Sequence, residues 1–63
     1  HLSDRERQVI ALVAAGNSSK EIARAMEISP RTVETYRQRL SDKLGLRSVA
    51  EIVRYGMRAG IVP

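Results

Sequence analysis

The sequence contains no cysteine, tryptophan or phenylalanine, and its single histidine is residue 1. Without cysteine the chain forms neither disulfides nor thiolate metal sites, and one histidine cannot build a histidine metal cluster. We therefore expect no metal and no other cofactor. Two tyrosines are the only aromatic residues, so a folded core must be aliphatic and stabilised by packing alone.

Long apolar runs are also missing. No stretch approaches the roughly 18 apolar residues that span a bilayer, and no signal-peptide pattern opens the chain. We therefore expect a soluble, cytoplasmic protein without membrane contacts. Because the first residue is histidine rather than methionine, we also expect the chain to be a piece of a longer protein.

The charge balance points to a polyanionic partner. The chain has 63 residues, 43% of them hydrophobic and 29% charged, with 11 Lys and Arg against 7 Asp and Glu. This length and balance predict one globular domain over residues 1–63. The resulting net charge of +4 favours nucleic acid as the partner.

Four helical segments are predicted, at about residues 3–15, 19–26, 30–44 and 49–59. No segment has the sequence pattern of a β-strand. Serine followed three residues later by glutamate opens three of them, a spacing in which each side chain satisfies the other residue's free backbone N–H. Ser29 and Pro30 open the third, and Gly16, Gly45 and Gly60 mark the ends of the first, third and fourth. The fold class is therefore all-α, a four-helix bundle-like domain.

Segments two and three have the spacing of a helix-turn-helix. Only Glu27, Ile28 and Ser29 join them, and such short-linked helices commonly cross steeply. Ala23 is small where the helices approach, and Ile28 is an apolar plug for the turn. In this arrangement the second helix enters the DNA major groove while the first crosses the backbone.

The third segment has two distinct faces on the helical wheel. Val33, Leu40 and Leu44 share the core side, with Tyr36 beside them. A polar face lies opposite and contains Arg31, Glu34, Thr35, Gln38 and Asp42. On its own, such a face commonly indicates only solvent exposure; after a helix-turn-helix spacing it is the face that meets DNA.

The fourth segment has an apolar arc of about 220°, more than docking on one core requires. Two interpretations stay open. The arc is covered by the first helix and residues 61–63, or part of it is a dimer seam, with Gly56 as a point of close approach. We favour the seam and assign to it Val49, Ala50, Val53, Arg54, Gly56 and Met57.

Glu6 lies within the apolar arc of the first segment. A buried carboxyl often has a raised pKa and acts as a general acid. No second carboxylate, histidine or nucleophile has a defined relation to it, however, so we expect a helix cap that pairs with Lys43 or Arg47. Nothing else suggests catalysis, and we predict that the protein is not an enzyme.

Four sequence blocks resemble the LuxR/FixJ/NarL-type DNA-binding domain of bacterial response regulators and quorum sensors. They are LSDRERQVI at 2–10, SSKEIA at 18–23 after Gly16, ISPRTVE at 28–34, and KLG at 43–45 followed by Arg47 and Ser48. The third block is most similar to the FixJ-like branch. Departures are Glu27 where glycine is frequent, Ser19 where asparagine is common, and Tyr36 where histidine is frequent.

The resemblance implies a transcription regulator whose third helix reads bases, whose fourth helix dimerises on DNA, and whose activity a separate N-terminal regulatory domain controls. The isolated piece would be monomeric or weakly dimeric, and RNA polymerase would be a further partner. The base-reading positions match Glu34, Thr35 and Gln38. Phosphate contacts are expected from Ser18, Ser19, Lys20, Arg31, Thr32, Tyr36, Arg37, Arg39 and Lys43.

Two alternatives remain at this point. A promoter-binding domain like region four of sigma factors shares the opening of the chain and the Ile-Ser-x-x-Thr-Val core of the hairpin, and it would also contact polymerase. A fourth capped helix after Gly45 argues against it. A helical protein-interaction module, in which the fourth helix binds a partner and the basic charge is incidental, is the alternative from another class.

Overall fold

The computed structural model describes residues 1–62, which form four helices and contain no strand. The helices are α1 (Asp4–Ala14), α2 (Ser19–Met26), α3 (Pro30–Leu44) and α4 (Val49–Arg58). The predicted all-α class, with a helix-turn-helix made by α2 and α3, is confirmed. The predicted bounds differ from these by one residue at the two ends of α1 and at the end of α4.

Each helix starts at a serine whose hydroxyl oxygen accepts a hydrogen bond from a backbone N–H three residues later. This contact satisfies one of the N–H groups that a helix start leaves free. In α1 and α2 a glutamate closes the reciprocal bond, as predicted. In α4 the reciprocal bond is different: the carboxylate of Glu51 accepts from the backbone N–H of Arg47, at 2.7 Å, instead of from Ser48.

The turn between α2 and α3 is tight and includes one left-handed residue. Glu27 has a φ of 58°, and its N–H bonds back to the carbonyl groups of Ala23 and Arg24. The N–H of Ile28 also donates to the Ala23 carbonyl, at 2.9 Å. A non-glycine residue in this region costs about 1 kcal/mol. The packing of α2 against α3 offsets this cost.

The core is aliphatic and is centred on α1, which packs against each of the other three helices. Its largest fully buried side chains are Val9, Ile10, Ile22, Val33 and Leu40. Residues that pack around them while keeping some exposure are Leu12, Ile28, Tyr36, Leu44, Leu46, Tyr55 and Ile61. The buried edge of α3 is therefore fixed against the rest of the fold.

Helix α4 crosses α1 at Gly56, which corrects one sequence-based assignment. Gly56 is buried, and an added Cβ would lie 3.0 Å from Ile10 Cγ2 and 3.2 Å from Val62 Cγ2. The residue is small because α1 and Val62 approach it within the chain, so it is not available to a dimer partner. Of the predicted covering segment 61–63, Pro63 lies outside the described residues.

Candidate nucleic-acid interface

The outer face of α3 is exposed where the sequence predicts it to be. Glu34, Thr35 and Gln38 are all exposed, whereas Val33 and Leu40 on the opposite edge have no accessible surface. Burial of one edge fixes the helix, and the polar edge faces away from the core. The positions of the three predicted base readers are therefore as expected, while their contacts with bases stay predictions.

Each of these three side chains already makes one hydrogen bond within the domain. The Thr35 hydroxyl donates to the carbonyl of Arg31 at 3.1 Å, which leaves its methyl group as the feature offered to a partner. The Gln38 amide nitrogen donates to Asp42 Oδ1 at 3.0 Å. Glu34 Oε2 accepts from the hydroxyl of Ser19, on the neighbouring helix α2.

Basic side chains flank this face. Lys20, Arg31 and Arg39 are exposed and Arg37 is partly exposed. The guanidinium of Arg39 lies over the ring of Tyr36, 5.5 Å from its centroid, a geometry that restrains both side chains. These four positively charged side chains lie on α3 itself or on the neighbouring helix α2, and basic side chains of this kind are the usual partners of a phosphate backbone.

The predicted hydroxyl contacts are mostly engaged inside the domain. The Ser18 hydroxyl oxygen caps α2 through the N–H of Glu21. Thr32 is partly buried, and its hydroxyl lies 2.9 Å from that of Ser29. These groups hold the starts of α2 and α3 in place, so their first role is to shape the hairpin.

Lys43, one of the predicted phosphate contacts, forms an ion pair within the domain. Its Nζ lies 3.0 Å from Glu6 Oε1 and 3.2 Å from the carbonyl oxygen of His1. The side chain of Lys43 is 45% exposed, and that of Glu6 only 3%. The predicted pairing of Glu6 with a cation is confirmed, with Lys43 rather than Arg47. As a phosphate contact Lys43 is a weaker candidate than expected, because its charge compensates a buried carboxylate.

The environment of Glu6 holds its carboxyl group in the charged form. The backbone N–H of Ser3 donates to Oε1 at 2.8 Å and Lys43 donates to the same oxygen. These hydrogen bonds, with that of Ser3 the stronger influence, lower the pKa of Glu6 below its usual value although burial opposes them. A lowered pKa is the opposite of what a general acid requires.

Two further surfaces lie beside α3 and α4. A groove of about 200 Å³ next to the predicted readers is lined by Glu34, Arg37, Gln38, Ser41, Leu46, Arg47 and Ile52. An apolar groove of about 550 Å³ on the other side of α4 is lined by Ala11, Ala14, Ala15, Val53, Met57, Ile61 and Val62. Among residues 1–62, no group of acidic, histidine or cysteine side chains is arranged to hold a metal ion, and no helix has the length and apolar character of a bilayer span.

The sequence matches the family of bacterial regulatory proteins known as the luxR family over residues 1–56. This match covers α1, α2, α3 and most of α4. The chain belongs to the luxR family. Members of this family are DNA-binding transcription regulators, so the predicted helix-turn-helix DNA-binding domain is confirmed. Regulators of this kind are not a class of enzymes.

Curated luxR-family relatives are regulatory proteins of bacteria. The chain is 51% identical to the transcriptional regulatory protein FixJ of Bradyrhizobium diazoefficiens over 61 residues, 97% of this chain and 30% of that protein. It is 44% identical to MctR of Rhizobium johnstonii, over 97% of this chain and 28% of that protein. TdiR of Thauera aromatica is 47% identical over 90% of this chain and 25% of its own length. The chain thus spans less than a third of these relatives, and no solved structure matches it.

Arg47 is a further candidate residue of this luxR-family domain, which the sequence analysis does not include among the phosphate contacts. It is exposed and lines the groove that also contains Arg37. Sequence reasoning considered it only as a partner of Glu6. The available signal is its position directly before Ser48, the N-cap of α4. Backbone N–H groups at a helix start and a basic side chain are both suited to a phosphate.

Proposed function

We propose that residues 1–63 act as one domain that binds double-stranded DNA sequence-specifically, with α3 as the recognition helix in the major groove. The observation that carries this proposal is the contrast between the two edges of α3. Val33 and Leu40 are fully buried, whereas Glu34, Thr35 and Gln38 are exposed. A helix held by one edge presents its other edge to the groove, whose width of about 12 Å admits one α-helix.

The three exposed side chains have distinct chemical uses in the groove. Gln38 offers an amide to adenine N6 and N7, after release of its bond to Asp42. Glu34 accepts from the N4 amino group of cytosine, and the Thr35 methyl group contacts the methyl group of thymine. Each good pair discriminates against the wrong base by about 1–3 kcal/mol.

Phosphate contacts hold α3 in register without reading sequence. We assign these contacts to Lys20, Arg31, Arg37 and Arg39, which are exposed or partly exposed, and to Arg47, which is exposed and lines the groove beside Glu34 and Gln38. Backbone N–H groups at the start of α2 supply further donors. The net charge of +4 supports the same role.

Dimerisation on DNA is assigned to the exposed apolar face of α4. Val49 is 51% exposed and Met57 57% exposed, with Ala50 exposed and Val53 partly so. Arg54 flanks this face, and Gly56 is not part of it. In this proposal the isolated chain is monomeric or weakly dimeric, and binding to two adjacent half-sites brings two copies together.

In this proposal the domain is the output module of a bacterial response regulator. It acts in the cytoplasm, because bacterial DNA is located there. The names of its relatives support this context, since they include transcriptional regulatory proteins and a response regulatory protein. The relatives are about three times longer than the matched segment, which supports a separate regulatory domain. RNA polymerase is a further partner in this proposal.

The test is selection of bound duplexes from a random library with the chain, followed by affinity measurements at several salt concentrations. We expect a preferred sequence that binds at least a thousandfold more tightly than random duplex at fixed salt, in line with roughly 10³–10⁷ for specific binders. The logarithm of affinity should fall linearly with the logarithm of salt concentration. Equal binding to all duplexes, or none, would contradict the proposal.

A further inference from the structure

A single side-chain hydrogen bond joins the two helices of the hairpin at the proposed reading face. The hydroxyl of Ser19, the first residue of α2, donates to Oε2 of Glu34 on α3, fifteen residues along the chain. Ser19 is partly buried, and Glu34 is exposed. The contact is not part of the capping of α2, because the neighbouring residue Ser18 performs that role.

This bond restricts an otherwise mobile side chain. A free glutamate on a helix surface samples many rotamers, and fixing it on binding costs free energy. A hydrogen bond from a hydroxyl to a carboxylate is charge-assisted and stronger than one between neutral groups. Ser19 therefore holds the Glu34 carboxylate in one position before DNA arrives.

The remaining acceptor capacity of Glu34 is left for DNA. A carboxylate accepts through two oxygens, and among residues 1–62 only Oε2 of Glu34 has a hydrogen-bond partner. Ser19 has one hydroxyl hydrogen, and the bond to Glu34 uses it. Ser19 is thus unable to donate that hydrogen to a phosphate at the same time.

Two positively charged side chains lie in the same groove as the Glu34 carboxylate. Arg37 and Arg47 line the same groove as Glu34, yet neither forms an ion pair with it within the described residues. We expect that removal of the Ser19 hydroxyl would leave the carboxylate free to move toward these guanidinium groups.

We propose that Ser19 is a positioning residue for base reading, which holds the Glu34 carboxylate ready to accept from the amino group of a cytosine. This inference rests on the proposed function. Ser19 touches no base itself, so its effect is confined to the one base pair that Glu34 reads. It replaces the phosphate contact that the sequence predicts for Ser19.

The experiment measures base preference rather than affinity alone. Duplexes selected from a random library by the unaltered chain are varied at each base pair, and binding is measured for the chain and for Ser19→Ala, Ser19→Thr and Glu34→Ala. We expect Glu34→Ala to abolish preference at one base pair, and Ser19→Ala to reduce preference at that same pair by about twofold to tenfold. Ser19→Thr keeps a hydroxyl and should retain the preference.

Two controls separate positioning from folding. Ser18→Ala removes the adjacent hydroxyl, which caps α2, and should weaken binding to all duplexes alike without changing preference. Ser19→Ala in the Glu34→Ala background should change nothing further, because the carboxylate is already absent. Circular dichroism confirms that each variant is folded.

Three results would overturn the inference. Unchanged preference in Ser19→Ala, with preference lost in Glu34→Ala, shows that Glu34 reads without help and leaves the proposed function intact. No effect of Glu34→Ala on any base pair removes the residue through which Ser19 acts. A chain that prefers no duplex over random DNA rejects the proposed function itself.

Discussion

Glu6 and Glu34 are the same residue type in two opposite settings. Glu6 is buried, and one of its oxygens accepts from both the Ser3 backbone and Lys43. Glu34 is exposed and accepts only from the Ser19 hydroxyl within residues 1–62. Glu6 is committed to holding α1 against α3, whereas Glu34 keeps capacity for a partner.

This difference teaches how to separate structural polar groups from recognition groups on a small helical domain. A buried carboxylate needs complete compensation because an unpaired charge in the interior is costly. An exposed carboxylate with one bond is compensated by water, and that water is replaceable by a ligand. The same distinction separates Lys43, which compensates Glu6, from the exposed Lys20.

The largest expected effect comes from removing the partner of the buried carboxylate. Lys43→Met leaves Glu6 buried with hydrogen bonds from Ser3 alone, so the free energy of unfolding should fall by about 1–3 kcal/mol. Lys20→Met is the matched control, because Lys20 is exposed and forms no ion pair among residues 1–62. Urea denaturation measures the free energy of unfolding of both variants. If Lys43→Met is as stable as Lys20→Met, Lys43 does not compensate the buried carboxylate of Glu6.

Acid should weaken the fold through Glu6. The pKa of Glu6 is lower in the folded chain than its usual 4.5. The stability this provides is fully present above that value and is lost as pH falls below it, through the folded pKa. We expect the free energy of unfolding to decline in that window, and Glu6→Gln to remove part of the decline.

Urea denaturation between neutral pH and about pH 3 measures this decline. The pKa of Glu21 is also lowered, chiefly by the backbone N–H of Ser18, so a residual decline is expected in the Glu6 variant. An undiminished decline in Glu6→Gln would show that the carboxylate is not coupled to folding.

The smallest effect is expected on the exposed face of α3 that carries Glu34, Thr35 and Gln38. Gln38→Ala should reduce discrimination at one base pair by about 1 kcal/mol, at the low end of the range for such pairs because Gln38 must first release Asp42. Stability should be nearly unchanged. Binding to duplexes varied at each base pair measures the effect, and a loss of equal size on every duplex would show that Gln38 does not read sequence.

Local signals predicted most of the fold. Serine caps and glycine stops gave the helix bounds to within one residue, and the helical wheel placed Val33 and Leu40 opposite Glu34 and Gln38. These features depend on residues close together in the chain. The wheel also placed Glu6 on the apolar side of α1, which suggested its cation partner.

Contacts between helices could not be derived in the same way. On the wheel Gly56 shares an arc with Val49 and Val53, and only the crossing of α1 over α4 shows that Gly56 is buried. The choice of Lys43 over Arg47, and the bond from Ser19 to Glu34, likewise depend on how α1, α2 and α3 pack. Sequence periodicity carries no information about crossing angles.

The most direct test is a ¹⁵N NMR titration of the chain with a duplex that it selects. Side-chain amide resonances of Gln38 and backbone amides of Glu34 and Thr35 should shift strongly, while those of the buried residues Val9 and Ile10 should move little. Stationary Gln38 and Glu34 resonances, with shifts confined to the exposed face of α4, would contradict α3 as the DNA-reading helix.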